Sequence, residues 1–212
     1  MPASRGANPQ PQRGAAMAGG SVVDALRRDH ETLKSHVAAL DAMVQAWGAS
    51  RQGTERMLNG AFHERMTYFG TEMGRHFRRE EEGLFPDARR LAAAGGPGAE
   101  VIGQFFREEA EDDILAHRVL RDQVAEMLTL LTTAEAAGGL EDKAESRLPT
   151  LFRMFRTVLE LHSAKEDELV FPMIERALSL PQREAALERL SVMPLDQVHE
   201  PSLHKDVRFW SG

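Results

Sequence analysis

From Ser21 onward the apolar positions fall into helical stripes. Leu26, His30, Leu33, Val37, Leu40 and Val44 are spaced 4, 3, 4, 3 and 4 residues apart, which keeps them on one helix face. Gly48 through Gly53 then interrupt the pattern. A second stripe with the same steps runs Phe62, Met66, Phe69, Met73, His76, Glu80 and meets Gly and Pro punctuation between Ala92 and Gly98. A third runs Asp113, His117, Leu120, Val124, Met127, Leu131 and stops at Gly138-Gly139. A fourth runs Leu148, Phe152, Phe155, Leu159, His162, Glu166. Pro181, a short amphipathic stretch (QREAALERL) and an irregular tail ending in Phe209-Trp210 follow. No useful length alternates with period two. The pattern predicts an all-α fold, an up-down-up-down antiparallel four-helix bundle over residues 21–178. Residues 179–212 are expected to add a short C-terminal helix and tail. Residues 1–20, rich in Gly, Pro, Ala and Gln, are expected to form a disordered tail.

The stripes contain residues that a hydrophobic seam does not ordinarily hold. His76-Phe-Arg-Arg-Glu80-Glu81-Glu82-Gly-Leu-Phe85-Pro86 matches His162-Ser-Ala-Lys-Glu166-Asp167-Glu168-Leu-Val-Phe171-Pro172 at an offset of 86. His30-Glu-Thr-Leu33 matches His117-Arg-Val-Leu120 at an offset of 87. The chain is thus two repeated helical hairpins, each with a lone His on its first helix and a His-x-x-x-Glu on its second. An i,i+4 pair projects from adjacent turns on one face. Four imidazoles and two carboxylates are therefore expected to meet on the bundle axis, with no Lys or Arg on the stripes. One such His is more often a satisfied core residue than a ligand, and one His-x-x-x-Glu is weak. Their duplication at matching phase argues against coincidence. An ionised carboxylate in a core is costly unless compensated, and a divalent metal compensates it. Imidazole with carboxylate suits iron, manganese or zinc. The ferritin-like Glu-x-x-His order is the reverse of the order here.

Composition narrows the picture further. The 26 Lys and Arg against 33 Asp and Glu give a net charge of −7, opposite to the basic field of a nucleic-acid binder. The absence of cysteine removes disulfides, thiolate zinc sites, Fe–S clusters and a thiol nucleophile, and fits a reducing compartment. No apolar run approaches the roughly 18–20 residues of a membrane helix, and the first twenty residues lack a signal-peptide apolar region. A cytoplasmic protein that engages neither nucleic acid nor membrane is expected.

The residues Asp29-His30, H-x-x-x-E-E-x-x-x-F-P from His76, His117, and H-x-x-x-E-D-x-x-x-F-P-like spacing from His162 resemble the hemerythrin-like, or HHE cation-binding, domain family. The resemblance covers about residues 21–178 and implies a bundle holding a non-haem di-iron centre. It implies His30, His76, His117 and His162 as ligands and Glu80 and Glu166 as bridges. The implied cofactor is two iron ions, bridged by carboxylates and a solvent-derived group, with manganese or zinc as substitutes. Oxygen-carrying hemerythrin has a further His one turn before the third-helix His, where this chain has Asp113. The four-His, two-Glu set is more similar to the iron-centre repair type, although that type carries Glu where Ala116 stands. The resemblance implies a protein that binds or senses O₂, NO or peroxide, or handles iron under stress, with a redox partner. The alternatives are a di-iron enzyme (peroxidase, NO reductase or oxidase) and a metal-free helical interaction module.

Several residues receive plainer readings. Asp113 is expected to hold an imidazole from behind or to face solvent, in preference to direct ligation. Glu81, Glu82, Asp167 and Glu168 turn away from the seam at the 3.6-residue period and read as a solvated acidic face. Pro86 and Pro172 are expected to kink or end their helices. His36 and His63 leave the stripes and read as surface, Tyr68 as ordinary packing, and His199 and His204 as parts of a structural cover. Leu33, Phe69, Met73, Leu120, Phe155 and Leu159 lie on the seam near the candidate ligands, as core and as the wall of a dry pocket for a diatomic gas.

Overall fold

The structure, a computed structural model, describes residues 21–49, 61–96, 98–108, 110–137 and 142–192. Four long helices carry the predicted stripes: α1 (Val22–Ala49), α2 (Ala61–Arg78), α5 (Ala110–Ala137) and α6 (Asp142–Lys165). A reciprocal capping box starts α1, with Ser21 N donating to Asp24 Oδ2 at 2.7 Å and Asp24 N donating to Ser21 Oγ at 3.2 Å. Every residue of the four stripes is buried. The helices pack in a ring, α1 on α2, α2 on α5, α5 on α6 and α6 on α1. The beginnings of α1 and α5 meet the ends of α2 and α6, as His30 beside His76 and His117 beside His162 show. Neighbours in the ring are therefore antiparallel.

Two apolar clusters divide the interior. The larger fills the bundle, with Phe62, Phe69, Phe152 and Phe155 at its centre. Phe69 and Phe155 meet edge to face at 5.3 Å between ring centroids. Leu33, Met73, Leu120 and Leu159 belong to this cluster too. The smaller cluster closes the other end with Val22, Leu26, Phe85, Phe105, Phe171, Ile174 and Leu190. The polar stripe residues lie between the two.

Two features of this closed end differ from the sequence expectation. Ala99–Glu108 forms a helix, α4, where no element is predicted. It carries buried Ile102 and Phe105 at helical spacing and packs against α3 (Phe85–Ala94) and α7 (Phe171–Ala177). Gly95 and Gly98, at φ 72° and 81°, make the turn into it. Second, the helices do not simply end or kink at Pro86 and Pro172. Each passes first through a wide π-turn, Arg79–Leu84 and Glu166–Val170, closed by i→i−5 bonds from Phe85 N to Glu80 O and from Phe171 N to Glu166 O. The wide turn absorbs the hydrogen bond and the ring clash that Pro would impose on a regular helix. Gly83 in the first π-turn seats α8 (Leu180–Val192), the expected C-terminal helix. A Cβ there would stand 2.0 Å from Leu190 Cδ2. Gly83→Val is therefore expected to push α8 off the bundle end and cost about 1–3 kcal/mol of stability, read by denaturant unfolding. An unchanged midpoint would show that this contact does not hold the helix.

Candidate metal centre

The six polar stripe residues converge. His30 Nε2 and His76 Nε2 lie 3.0 Å apart, and so do His117 Nε2 and His162 Nε2. Glu80 spans the two pairs, with Oε1 3.2 Å from His76 Nε2 and Oε2 3.2 Å from His117 Nε2. Glu166 does the same from the opposite side, with Oε2 3.1 Å from His30 Nε2 and 3.4 Å from His162 Nε2. The donor atoms form two groups, His30, His76, Glu80, Glu166 and Glu80, His117, His162, Glu166, each within 4.8 Å. Both carboxylates belong to both groups.

The electrostatics of this cluster call for a cation. Burial, and then the charge of Glu166, hold Glu80 well above the usual carboxylate range. Burial lifts Glu166 to about 7, although the nearby His30 imidazole, with Nε2 3.1 Å from Glu166 Oε2, works against it. Burial also lowers His76 and His117, and lowers His162 to about 2, so these imidazoles are neutral at pH 7. All four carboxylate oxygens of Glu80 and Glu166 are buried without a hydrogen-bond donor. Two acids facing each other with neutral imidazoles are compensated by neither charge nor hydrogen bond. Metal cations of the borderline type supply what is missing, and imidazole with carboxylate is the donor set they accept.

Behind each imidazole stands an acid, and behind each acid a surface cation. His30 Nδ1 is 3.0 Å from Asp167 Oδ1, and Lys34 Nζ is 3.2 Å from Asp167 Oδ2. His117 Nδ1 is 2.7 Å from Glu81 Oε1, which Arg121 Nη1 also reaches at 3.0 Å. His76 Nδ1 is 3.5 Å from Asp29 Oδ2, which is paired with Arg79. His162 Nδ1 is 3.8 Å from Asp113 Oδ1, and Lys165 Nζ lies 3.4 Å from the same oxygen. Burial alone would raise Asp29 and Glu81, but His76 with Arg79, and His117 with Arg121, outweigh it and hold both acids below their usual range. Held ionised in this way, Asp29 and Glu81 favour the imidazole proton on Nδ1 of His76 and His117 and turn the Nε2 lone pair inward.

The family model for the hemerythrin HHE cation binding domain matches residues 21–112 and 114–193. The chain belongs to the hemerythrin HHE cation-binding domain family. Among curated proteins and among solved structures, none matches it.

Within this HHE domain the sequence reading needs one correction. Glu81 and Asp167 are not a solvated acidic face. They are half-buried and approach the imidazoles of His117 and His30. The 100° step of a regular helix puts them off the seam. The π-turns fit more residues into each turn, so neighbouring side chains lie closer in direction, and both Glu80 and Glu81, or Glu166 and Asp167, reach the cluster. The signal was present as the repeated Phe-Pro, which forces the wide turn. Glu82 and Glu168 are exposed as expected. Asp113 stands behind His162 and outside both donor groups. Two aromatic supports were not anticipated: Phe77 stacks on His117 at 3.9 Å, and Phe171 on His30 at 5.4 Å. His36 is part-buried, 5.0 Å from the half-exposed ring of Tyr68, and His63 pairs with Glu135 at 2.8 Å. His199, His204 and the segments 1–20 and 193–212 lie outside the described residues. Among the described residues, no helix is long and apolar enough to cross a membrane.

Proposed function

We propose that this HHE domain is a non-haem di-iron protein that binds or senses a small inorganic ligand, O₂, NO or peroxide, or handles iron itself. His30 and His76 would hold one ion, His117 and His162 the other, with Glu80 and Glu166 shared. The observation that carries this reading is the pair of donor groups with both carboxylates in common and four carboxylate oxygens lacking any donor. Iron bound there would supply electrons and Lewis acidity toward the small ligand; manganese or zinc would satisfy the same donors with different chemistry. The chain's own groups fix the imidazole protons on the outer nitrogens, exclude water with two apolar clusters, and leave the ligand set without a fifth histidine. A cysteine-free chain suits a reducing cytoplasm, where an electron donor would serve as redox partner.

With Asp113 outside the donor groups, nothing confines O₂ to one ion. That arrangement favours peroxide or NO chemistry, or iron release, over reversible oxygen carriage. The test is to load the protein with ferrous iron under anaerobic conditions, admit O₂, and follow the visible spectrum. A fast change that vacuum does not reverse is expected. A colour that forms with O₂ and fades under vacuum through repeated cycles would identify an oxygen carrier and contradict this reading.

A further inference from the structure

The internal repeat makes a symmetry prediction that the structure breaks in one corner. His30 and His117 are equivalent, and so are the acids behind them, Asp167 and Glu81. His76 and His162 are equivalent too, but their acids are not. Asp29 precedes His30 directly, and the place that directly precedes His117 is Ala116. The acid behind His162 comes instead from Asp113, one turn earlier on α5, where the first repeat has apolar Leu26. The substitute reaches less well. Its oxygen is 3.8 Å from His162 Nδ1, against 2.7, 3.0 and 3.5 Å at the other three corners. That oxygen also faces the Lys165 ammonium at 3.4 Å, which pulls it toward the surface. His162 is the most exposed of the six central residues, at 5% against 0–1%. Its partner His117 is held firmly by comparison, between the Glu81 carboxylate at 2.7 Å and the Phe77 ring at 3.9 Å.

Resting on the two-ion reading above, we infer that the halves of the centre are unequal: the ion held by His117 and His162 is the exchangeable one, it is released first at the His162 corner, and Asp113 is the positioning residue that limits its release. An acid behind a ligating imidazole fixes the ring and strengthens its donation, and removing one typically weakens metal binding 10–100-fold. A corner in which that acid is displaced therefore holds its ring least well. The imidazole there can swing out first, taking one of the four protein donors from one ion only.

The experiment uses the full-length protein loaded with ferrous iron under anaerobic conditions and a colour-forming ferrous chelator in excess. Release is expected in a fast and a slow phase, each of about one ion per chain. Asp113→Asn is expected to speed the fast phase about tenfold or more and leave the slow phase unchanged, whereas Asp29→Asn speeds the slow phase. Ala116→Asp restores to the second repeat the acid that the first repeat has, and is expected to slow the fast phase. A gain of that kind is not produced by a general loosening of the fold, and helicity and thermal unfolding of each loaded variant confirm that it is folded. A single phase releasing both ions, or an Asp113→Asn effect confined to the slow phase, overturns the inequality and leaves the di-iron reading standing. Binding of fewer than two ions by the unaltered protein sinks both.

Discussion

Glu166→Ala is expected to take iron content from two ions per chain to well below one. The reason is its place in both donor groups: its Oε2 lies 3.1 Å from His30 Nε2 and 3.4 Å from His162 Nε2. Removing it takes a donor and a negative charge from each ion at once, and leaves Glu80 as the only central carboxylate against two cations. Glu80→Ala should do the same. His162→Ala removes a neutral donor from one ion and should deplete that ion more than the other. Glu82→Ala is the control, because Glu82 is half-exposed and paired with Arg78 on the helix surface; it should bind like the unaltered protein. Metal analysis after saturation and desalting reads the outcome. The metal-free Glu166→Ala protein should be no less stable than the metal-free parent, since it loses an uncompensated buried acid. Full loading of Glu166→Ala would remove the shared-carboxylate assignment.

The second large effect is on pH. In the metal-free chain Glu80 sits well above the usual carboxylate range and Glu166 at about 7, both chiefly through burial. Between 4.5 and about 7 the folded chain therefore keeps protons that the unfolded chain has lost, and stability falls as pH rises. For Glu166 alone this amounts to on the order of 3 kcal/mol once pH exceeds its folded value. His76, His117 and His162 act in the opposite sense. Burial lowers them from 6.5, so below that pH the unfolded chain takes up protons that the folded chain does not, and stability falls as pH falls. Above pH 6.5 the histidine effect is exhausted and the carboxylate effect alone remains, so the metal-free protein should lose stability as pH rises from 6.5 through about 7. Metal needs the carboxylates ionised, so loading below pH 7 displaces their protons and affinity should rise with pH until Glu80 and Glu166 are both ionised unaided. Calorimetric titration at pH 6 in buffers of different ionisation heat should find about one to two protons released per chain, and fewer at pH 8. No proton release at pH 6 would mean that the central acids are already ionised and not buried as a facing pair.

Much of this arrangement was legible in the sequence because heptad-like spacing and the duplicated His-x-x-x-Glu are both read at the period of a regular helix. His30, His76, Glu80, His117, His162 and Glu166 lie on that period and converge as expected. What escaped the reading lies where the period changes. Glu81 and Asp167 reach the imidazoles because the chain widens into π-turns ahead of Pro86 and Pro172, and a 100° step points them elsewhere. Asp113 is on the stripe, and its Oδ1 lies 3.8 Å from His162 Nδ1, outside both donor groups. Helix α4 was missed because its short apolar face packs on the bundle end through Phe105 and not on the seam that organises the other helices.

The most direct measurement is elemental analysis of the purified full-length protein together with its visible spectrum before and after reduction. Two iron ions per chain are expected, with an absorption in the oxidised protein that reduction bleaches and that Glu166→Ala lacks. One ion or none per chain after anaerobic saturation with ferrous iron, or full iron content in Glu166→Ala, would contradict a di-iron centre built from these six residues.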